Sequence, residues 1–415
     1  MKQHIKKESI SPLDQAIVTH YVNAGEVEQA PYLQAKGWTA QDYIDQYQAI
    51  QQQIFALDEI PFPGPQRGRE DFTFIDLFAG IGGFRMAMQN NNGRCVFSSE
   101  YDKFAQKTYY ANYGEIPFGD ITQDDTKSFI PLEFDVLCGG FPCQPFSIAG
   151  VSKKISLGRS HGFDDEKQGN LFFHIAEIIA IHRPKVFFLE NVKNLVSHDK
   201  GNTFRVIKET LENLDYTFDS RVIDGSYFVP QHRERTFMVG FDKRRYGDDV
   251  RFDFDRIVIP EHKPRVGDIL QTNVDAKYTL SDKLWQYLQD YAKKHKEKGN
   301  GFGFGTITRN STTRTLSARY YKDGSEILVP QEEHNPRRLT PQECAALQGY
   351  PIYPINTDNQ DQSFVIPVSD NQAYKQFGNS VVMPLIQAIG EVLRNQLIDL
   401  DGRDIELRNR IGAAI

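Results

Sequence analysis

Short apolar runs alternate with longer amphipathic stretches between residues 71 and 242. The runs predict five strands, which are FTFIDLF, CVFSS, FDVLCGG, KVFFLE and TFMVGF. Between them lie segments of helical periodicity such as LFFHIAEIIAIH, which is apolar at Leu171, Phe172, Ile175, Ile178 and Ile179. Strands that alternate with helices in this way predict an α/β fold built on an open, doubly wound sheet.

The patterning changes on both sides of this α/β region. Near the N-terminus, Thr39 and Asp42 favour the start of a helix through YIDQYQAIQQQIFAL, and PFPGPQRGR is typical of a linker. Beyond the predicted sheet the chain is irregular, with glycine clusters and arginines, until PLIQAIGEVLRNQL restores helical periodicity. We therefore expect a helical extension and linker (1–70), an α/β domain (71–245), a smaller irregular domain (246–370) and a segment that packs back on the α/β domain (371–415).

Composition is that of a soluble globular protein, with 40% hydrophobic and 25% charged residues. No apolar run approaches the roughly 20 residues that span a bilayer, and the N-terminus lacks the apolar core of a secretory signal. The four cysteines form no CxxC pair and have no nearby histidines at zinc-finger spacing. They predict a reducing cytoplasm, no disulfide framework and no metal site.

Charge is unevenly distributed along the chain. The net charge of -7 argues weakly against nucleic-acid binding. However, the segment 281–340 holds 11 Lys and Arg against 7 Asp and Glu. A local basic footprint is enough to bind a polyanion, although a solvated surface remains the alternative for this segment.

A glycine-rich turn, Ala79 to Phe84, follows the first predicted strand. Glycines at a strand-to-helix turn let a ligand approach the backbone, but tight packing alone also requires them. Glu100 closes the second strand about 20 residues later, which is the spacing used to bind ribose hydroxyls, and Asp120 follows in FGDIT. The set predicts an adenosine-containing ligand, and the incomplete GxGxxG pattern disfavours a dinucleotide.

Cys143 lies in the loop GGFPCQPFSIAG, directly after the third predicted strand. The prolines and glutamine around it indicate an exposed loop, which favours a nucleophilic thiol. A buried inert cysteine is the better interpretation of Cys138, which lies inside the strand. We expect Cys143 to act as a nucleophile at the same edge of the sheet as the glycine turn.

Three charged residues accompany the fourth and fifth predicted strands. Glu190 closes KVFFLE beside the nucleophile, which favours an acid or hydrogen-bonding role over a simple helix cap. Arg233 and Arg235 alternate in QHRERTFMVGF and therefore share one face of an extended stretch. Such arginines either form surface ion pairs or bind a carbonyl or phosphate of a substrate.

The chain resembles the DNA (cytosine-5)-methyltransferase family from Asp76 to Pro384. The resemblance rests on eight ordered blocks, which are DLFAGIGGF, SSEYD, GDIT, GGFPCQPFS, FFLENV, QHRERTFMVGF, RRLTPQECAALQGYP and QFGNSVVMP. Three further stretches resemble the Dcm-type branch, which methylates CCWGG. They are GVSKKISLGRSHGF, YAKKHKEKGNGFGFG and TRTLSARYYKDGSEIL.

The resemblance implies a Rossmann-like catalytic domain that uses S-adenosylmethionine, a target-recognition domain and no metal. It implies that Cys143 attacks C6 of a flipped-out cytosine, that Glu190 binds N3 and the exocyclic amine, and that Arg235, supported by Arg233, binds O2. The implied cofactor-binding residues are Phe78, Gly80, Gly82, Phe84, Glu100, Asp120, Ile121, Asn379, Ser380 and Val381.

The resemblance also implies double-stranded DNA as the partner. A loop from Pro145 to about Asp165 is expected to fold over the DNA, with Lys153, Lys154 and Arg159 as candidates for phosphate contacts. Arg309, Arg314, Thr315 and Arg319 are the candidates for contacts in the recognition domain. We expect a monomer, whose partner endonuclease, if one exists, acts separately.

Other functions remain to be distinguished at this stage. An RNA (cytosine-5)-methyltransferase uses the same scaffold, and a non-catalytic DNA-binding module would retain the fold. A dinucleotide oxidoreductase explains the glycine turn but leaves PCQ, ENV and the arginine pair without roles. We expect methylation at C5 of the inner cytosine in CCWGG.

Overall fold

A six-stranded sheet forms the centre of the computed structural model, which describes residues 15–17, 19–20, 42, 45, 60–142, 171–299 and 303–412, with the side chains of the last helix described up to residue 404. Its strands are β1 (Phe72–Leu77), β2 (Gly93–Ser99), β3 (Val136–Gly140), β4 (Val186–Val192), β5 (Asp219–Asp224) and β6 (Glu234–Phe241). The five strands predicted from the sequence are all present.

Helices connect and flank the strands. Those of the α/β region are α1 (Gly83–Asn90), α2 (Lys103–Tyr113), α3 (Asp124–Lys127), α4 (Leu171–His182), α5 (Asn202–Asn213) and α6 (Lys243–Tyr246). Further along the chain lie α7 (Asp282–Glu297), α8 (Pro341–Leu347), α9 (Asp370–Asn379) and α10 (Met383–Gly412).

The strand order is β2-β1-β3-β4-β6-β5. Strands β1 to β4 run parallel, whereas β6 inserts antiparallel between β4 and β5. The carboxyl ends of β1, β3 and β4 therefore lie side by side, next to the amino end of β6. We call this edge of the sheet the catalytic rim, because ligands of open α/β sheets bind there.

Alternate residues of each buried strand face opposite sides of the sheet. On one side Ile75 and Leu137 join a core with Ile175 of α4 and Ile207 of α5. On the other side Phe74 and Phe188 join a second core with Met86 of α1 and Ile389 of α10. Helices thus cover both faces, as the doubly wound fold predicted from the sequence requires.

The second core continues without a break into the irregular region beyond the sheet. It includes Leu316, Tyr320 and Ile327, all of which are fully buried, together with Leu347 of α8 and Phe377 of α9. The smaller region is therefore joined to the sheet by apolar packing. The boundaries expected at residues 70, 245 and 370 stay predictions.

The described part of the N-terminal region packs against the α/β region. Residues 15–17 and 19–20 are helical, and Ala16 and Ile17 are buried in the core on the α4 and α5 side. The backbone N–H of Ile116 donates to the hydroxyl of Thr19 over 2.9 Å. The helix expected from Tyr43 onward lies mostly outside the described residues.

Helix α10 packs against α1 and returns the chain to the beginning of the sheet. The side chain of Asn91 donates to the carbonyl of Gln387 over 2.9 Å, and Arg394 pairs with Asp71 just before β1. Asp401 accepts hydrogen bonds from Lys185 and from the Tyr246 hydroxyl, both at 2.6 Å. No helix in the described part of the chain is long and apolar enough to cross a membrane.

Candidate active site

Glycine occupies two positions of the turn between β1 and α1 for different physical reasons. Gly80 and Gly82 both have positive φ angles, 56° and 84°, which favour glycine. At Gly82 an added Cβ would lie 2.3 Å from the ring of Tyr113, so packing excludes a side chain there. At Gly80 the nearest atom would be the carbonyl of Phe78 at 4.0 Å. The turn is therefore close-packed at Gly82 and open at Gly80.

Glu100 joins the end of β2 to this turn. Its carboxylate accepts hydrogen bonds from the backbone N–H groups of Gly80 and Asp102, each at 2.8 Å. Burial raises the pKa of Glu100, while these two hydrogen bonds act in the opposite direction. The 20-residue spacing seen in the sequence thus corresponds to direct contact across the catalytic rim.

The remaining cofactor-binding candidates of the α/β region differ in burial. Asp120 is exposed and Ile121 is buried, after a bridge between Ser99 and Phe118 that extends β2. Phe84 is buried, with its ring edge-on to Phe188. The structure places Phe78 beside Gly80, with a φ of 56° and a half-buried side chain.

The segment 379–381 approaches the turn from the far end of the chain. Asn379 is exposed, whereas Ser380 and Val381 are half-buried. A Cβ at Gly83 would lie 2.6 Å from Val381, so this segment rests on the first turn of α1. The structure therefore brings Glu100, Ser380 and Val381 to the turn between β1 and α1, and the cofactor roles of the ten residues stay predictions.

Asp76 lies in the strand that leads into this turn, and the sequence reasoning did not single it out. It lies in β1, is 1% exposed, and neither carboxylate oxygen has a hydrogen-bond partner among the described residues. Burial raises its pKa to about 8, while the charge and the main-chain N–H of Arg85 act against this rise and the charge of Glu100 adds to it. The aspartate of DLFAG was a visible signal, but its isolation depends on tertiary packing.

S-adenosylmethionine fits these residues on physical grounds. Its sulfonium and amino groups are cationic, and a cation bound beside Asp76 would favour the ionised form of this buried carboxyl group, both of whose oxygens lack a hydrogen-bond partner in the described part of the chain. Glu100 is an acceptor suited to ribose hydroxyls, and the open side of Gly80 allows close approach to the backbone. Within the described residues, no group of three His, Cys, Asp or Glu side chains is arranged to hold a metal ion.

Glu190 lies beside the end of β3, the strand that leads to Cys143. It pairs with Gly140 in the parallel register, and a Cβ at Gly140 would lie 3.4 Å from its Oε2. Its Oε1 lies 2.9 Å from Nε of Arg235, with which it forms an ion pair. Burial raises the pKa of Glu190, and the positive charges of Arg235 and Arg233 offset part of that rise.

The two arginines of QHRER have different surroundings. Arg235 is half-buried and pairs with Glu190. Arg233 is 2% exposed, and its guanidinium donates to three backbone carbonyls, those of Leu316, Gly378 and Ser380. The two arginines expected on one face therefore have different partners. Arg235 pairs with the carboxylate, whereas Arg233 is bonded to the backbone of two segments that are distant in the sequence.

Cys143 and the loop that follows it, including Lys153, Lys154 and Arg159, lie outside the described residues. The described chain ends just before them at Phe141 and Pro142. The carbonyl of Phe141 accepts from the side-chain amide of Asn191 over 2.8 Å. The ENV block therefore contributes Asn191 as a tether for the start of the PCQ loop, a role that the sequence reasoning missed.

Three arginines of the smaller region, which we call the recognition arginines, are Arg309, Arg314 and Arg319. All three are exposed. Arg309 has one long contact, 3.4 Å, to the carbonyl of Gly267. Thr315 is half-buried and donates its hydroxyl to the carbonyl of His232 over 2.6 Å. The structure thus separates these arginines, which face solvent, from the buried charges of the catalytic rim.

Comparison with known proteins identifies relatives that span both the sheet and the smaller region. The family model described as C-5 cytosine-specific DNA methylase matches residues 72–395. The type II methyltransferase M.SsoII of Shigella sonnei is 50% identical over 343 residues, covering 82% of this chain and 84% of that protein. The DNA-cytosine methyltransferase of Escherichia coli K12 is 45% identical over 390 residues, with 81% and 80% covered.

Solved structures show the same fold at lower identity. The Dnmt2 methyltransferase of S. pombe superposes with a TM-score of 0.59 at 17% identity, covering 79% of this chain and 99% of that one. A putative DNA modification methyltransferase from an E. coli prophage gives 0.54 at 21% identity, with 78% and 99% covered.

Proposed function

This chain belongs to the C-5 cytosine-specific DNA methylase family, and on that premise we propose how its residues divide the reaction and which sequence it modifies. The protein is a site-specific DNA methyltransferase that uses S-adenosylmethionine to methylate C5 of cytosine in duplex DNA. The observation that best supports the residue assignments is the ion pair between the buried Glu190 and the half-buried Arg235, beside the end of β3.

We propose that the glycine turn and the segments around it bind S-adenosylmethionine, which supplies the methyl group. The roles assigned are Glu100 to the ribose hydroxyls, Asp120 to the adenine amine and Ile121 to an adenine face. Asn379, Ser380 and Val381 close the pocket over Phe78, Gly80, Gly82 and Phe84. The carboxylate of Asp76, unpartnered among the described residues, supports the binding of a cationic ligand at this place.

The chemistry assigned to the chain begins with Cys143, whose thiolate forms a bond to C6 of the target cytosine. Electron density then moves to C5, which otherwise is a poor nucleophile. Glu190 hydrogen-bonds N3 and the exocyclic amine, and Arg235 binds O2. After C5 has gained the methyl group, it loses its proton to a base and the Cys143 thiolate leaves C6, which restores the aromatic ring.

The environment of Glu190 supports its part in this sequence. Burial raises the pKa of Glu190, so its protonated form persists to higher pH than that of an exposed carboxyl group. A protonated carboxyl can donate to N3, where negative charge develops once C6 is attacked. Arg235 is already bonded to Glu190 over 2.9 Å, which keeps both groups oriented before DNA arrives.

The target base has to leave the duplex, which costs a few kcal/mol. We propose that the loop from Pro145 to about Asp165 folds over the DNA, with Lys153, Lys154 and Arg159 on phosphates. Arg309, Arg314, Thr315 and Arg319 contact DNA from the smaller region, and the exposure of the three arginines supports that role.

We propose CCWGG as the recognition sequence and its inner cytosine as the methylated base. The support is the 45% identity to the E. coli K12 DNA-cytosine methyltransferase, together with the stretches that resemble the Dcm-type branch. Type II enzymes such as M.SsoII are similar to this chain to a comparable degree, so a separately acting endonuclease partner is part of the proposal. Monomeric state and a cytoplasmic setting stay predictions.

Methyl transfer from tritiated S-adenosylmethionine tests the proposal. The purified protein should label CCWGG duplexes and leave CCGG duplexes and tRNA unlabelled. Labelling of CCGG alone would refute the target but keep the chemistry, and preferential labelling of tRNA would refute DNA as the substrate.

A cysteine pair tests the assigned nucleophile. Cys143→Ala should abolish labelling, whereas Cys95→Ala should retain it. Cys95 is buried and its pKa is raised to about 12 by burial, so it is no nucleophile at neutral pH. Residual turnover by Cys143→Ala would reassign the covalent step.

A further inference from the structure

Leu316 of the smaller region is bonded through both of its main-chain polar groups to the residues just before β6. Its N–H donates to Oε1 of Gln231 over 2.7 Å, and its carbonyl accepts from Nη1 of Arg233 over 3.0 Å. Gln231 and Arg233 are 0% and 2% exposed, and Leu316 is fully buried. The backbone next to Thr315 is therefore fixed to the catalytic domain by two buried hydrogen bonds.

The same guanidinium also binds the segment that closes the cofactor pocket. Nη2 of Arg233 donates to the carbonyl of Gly378 over 2.9 Å and to that of Ser380 over 2.5 Å. Arginine presents its donors in a rigid planar fork, so a shift of one acceptor disturbs the others. One side chain thus spans residue 316 and residues 378–380, which are far apart in the sequence.

The two bridged segments also touch through their backbones. A Cβ at Gly378 would lie 2.3 Å from the carbonyl oxygen of Ser317 and 2.4 Å from the N atom of Ala318. No side chain separates them at this point, and contacts this close leave no slack. Movement of 315–318 when DNA binds would therefore be transmitted directly to 378–380.

From Ser380 the contacts reach the glycine turn. The hydroxyl of Ser380 lies 2.8 Å from that of Tyr350, which is buried. A Cβ at Gly83 would lie 2.8 Å from the Tyr350 oxygen and 2.6 Å from Val381. The path from Thr315 to the first turn of α1 is thus continuous through Arg233, Ser380 and Tyr350.

The electrostatics of Arg233 distinguish it from a simple packing residue. A buried cation normally requires a bonded carboxylate, but among the described residues its guanidinium donates to carbonyls and its Nε has no partner. Burial lowers its pKa to about 9, with Arg235 acting in the same direction and the carboxyl group of Glu190 offsetting part of the shift. A neutral side chain would avoid this cost, so the charge and the three-way geometry need another explanation.

We propose that Arg233 is a positioning residue that couples the recognition segment 315–318 to the cofactor-closing segment 378–381, so that duplex DNA and cofactor strengthen each other's binding. The inference rests on the proposed function and adds regulation within its site. Such coupling is reciprocal, since each ligand changes the affinity for the other by the same factor.

The test is a binding cycle with S-adenosylhomocysteine as the probe, since it carries no methyl group to transfer. Its dissociation constant is measured with and without a saturating CCWGG duplex. For the wild-type protein we expect the duplex to tighten binding by about 5-fold or more, within the usual range of coupling. For Arg233→Lys we expect a factor near one, because an ammonium cannot reach both segments.

Arg338→Lys is the matched control. Arg338 contacts the carbonyl of Tyr321 at 3.4 Å and the ring of Tyr374, both of which lie outside the segment 378–381. This control should retain the wild-type coupling factor. A role of Arg233 in stability alone would weaken the protein without changing the factor, so thermal melting is measured in parallel.

A wild-type factor of one, or an unchanged factor in Arg233→Lys, overturns the proposal. If Arg233→Lys does not fold, Tyr350→Phe decides, since it removes only the hydroxyl bonded to Ser380. Unchanged coupling in that variant then overturns it. Tritium transfer by the wild-type protein is measured first on the same duplex, so a wrong target sequence is recognised separately and the cycle is run with the sequence that is methylated.

Discussion

The charged groups of the catalytic rim and the recognition arginines differ in burial. At the rim, Glu190 is buried and already bonded to Arg235 at 2.9 Å. Arg309, Arg314 and Arg319 are exposed to solvent. Groups that stabilise a transition state act best when fixed beforehand, whereas groups that bind DNA exchange water and counterions for phosphates and bases. If the proposed roles hold, the groups for the reaction are oriented before DNA binds, whereas the arginines for sequence reading take up their contacts only with DNA.

The largest effect is expected from a substitution at the catalytic rim, at Glu190. Glu190→Gln keeps the size of the side chain but cannot deliver a proton to N3. We expect the rate of methyl transfer to fall by about 100-fold or more, the usual contribution of a positioned acid. Single-turnover tritium transfer measures it, and a retained duplex affinity would locate the loss in the chemical step.

The pH dependence of the same variant sharpens the assignment. Burial raises the pKa of Glu190, so the wild-type carboxyl is protonated at low pH and loses its proton as pH rises through the raised value. Methyl transfer should therefore decline on the alkaline side, and Glu190→Gln should lack this decline. An identical alkaline decline in both proteins would assign the titration to a group other than Glu190.

Asp76 offers the next largest effect, on stability. Its folded pKa of about 8 lies above the ordinary value of 3.8, so the folded state retains a proton that the unfolded chain loses. Its contribution to stability is complete below about pH 4 and declines as pH rises to about 8. Asp76→Asn should remove this decline and raise the free energy of unfolding near pH 8 by a few kcal/mol, at about 1.4 kcal/mol per pKa unit.

Denaturant unfolding without cofactor, measured at about pH 5 and at about pH 8, tests the Asp76 prediction. Most of the decline in stability lies between these two pH values. The gain of the variant should be larger at the higher pH. Added S-adenosylmethionine should then stabilise the wild-type protein more than Asp76→Asn, because only the aspartate can pair with a cation. Equal stabilisation of both proteins would separate Asp76 from the cofactor.

The smallest effect is expected on the exposed side, at the recognition arginines. Arg314→Ala and Arg319→Ala should each weaken duplex binding by about 1–3 kcal/mol if a base edge is lost. A base contact relaxes discrimination between CCWGG and singly altered sites, whereas a phosphate contact weakens all sequences and lowers the salt slope by about one. Salt titrations on matched duplexes measure both, and unaffected binding in both variants would remove these side chains from the interface.

Strand ends were the part of the fold that the sequence predicted best. Glu100 follows the short predicted strand CVFSS and Glu190 ends the very apolar KVFFLE, so their position at the catalytic rim could be expected from the order of residues alone. Strand β5 was missed because DSRVID is polar and half-exposed, as is common for an edge strand. The antiparallel insertion of β6 was also invisible, because strand order depends on tertiary packing rather than on periodicity.

The candidate site shows the same difference between local features, which could be predicted, and tertiary contacts, which could not. Residue types beside a strand end indicated a carboxylate and two arginines, but the acceptors of Arg233 are backbone carbonyls far away in the sequence. Every residue has a backbone carbonyl, so no local sequence pattern indicates which carbonyl accepts a hydrogen bond from Arg233. Asp76 was likewise concealed, because its lack of partners among the described residues appears only once β2 and β3 have packed on either side of it.

The return of α10 to α1 has a consequence for synthesis on the ribosome. The apolar side of α1 is made early, but its covering residues, Leu385, Ile386 and Ile389, emerge some 300 residues later. The smaller region is translated between them, before the apolar side of α1 can be covered. A nascent chain should therefore become able to methylate DNA only once α10 has left the exit tunnel. A prematurely terminated product without α10 should be inactive.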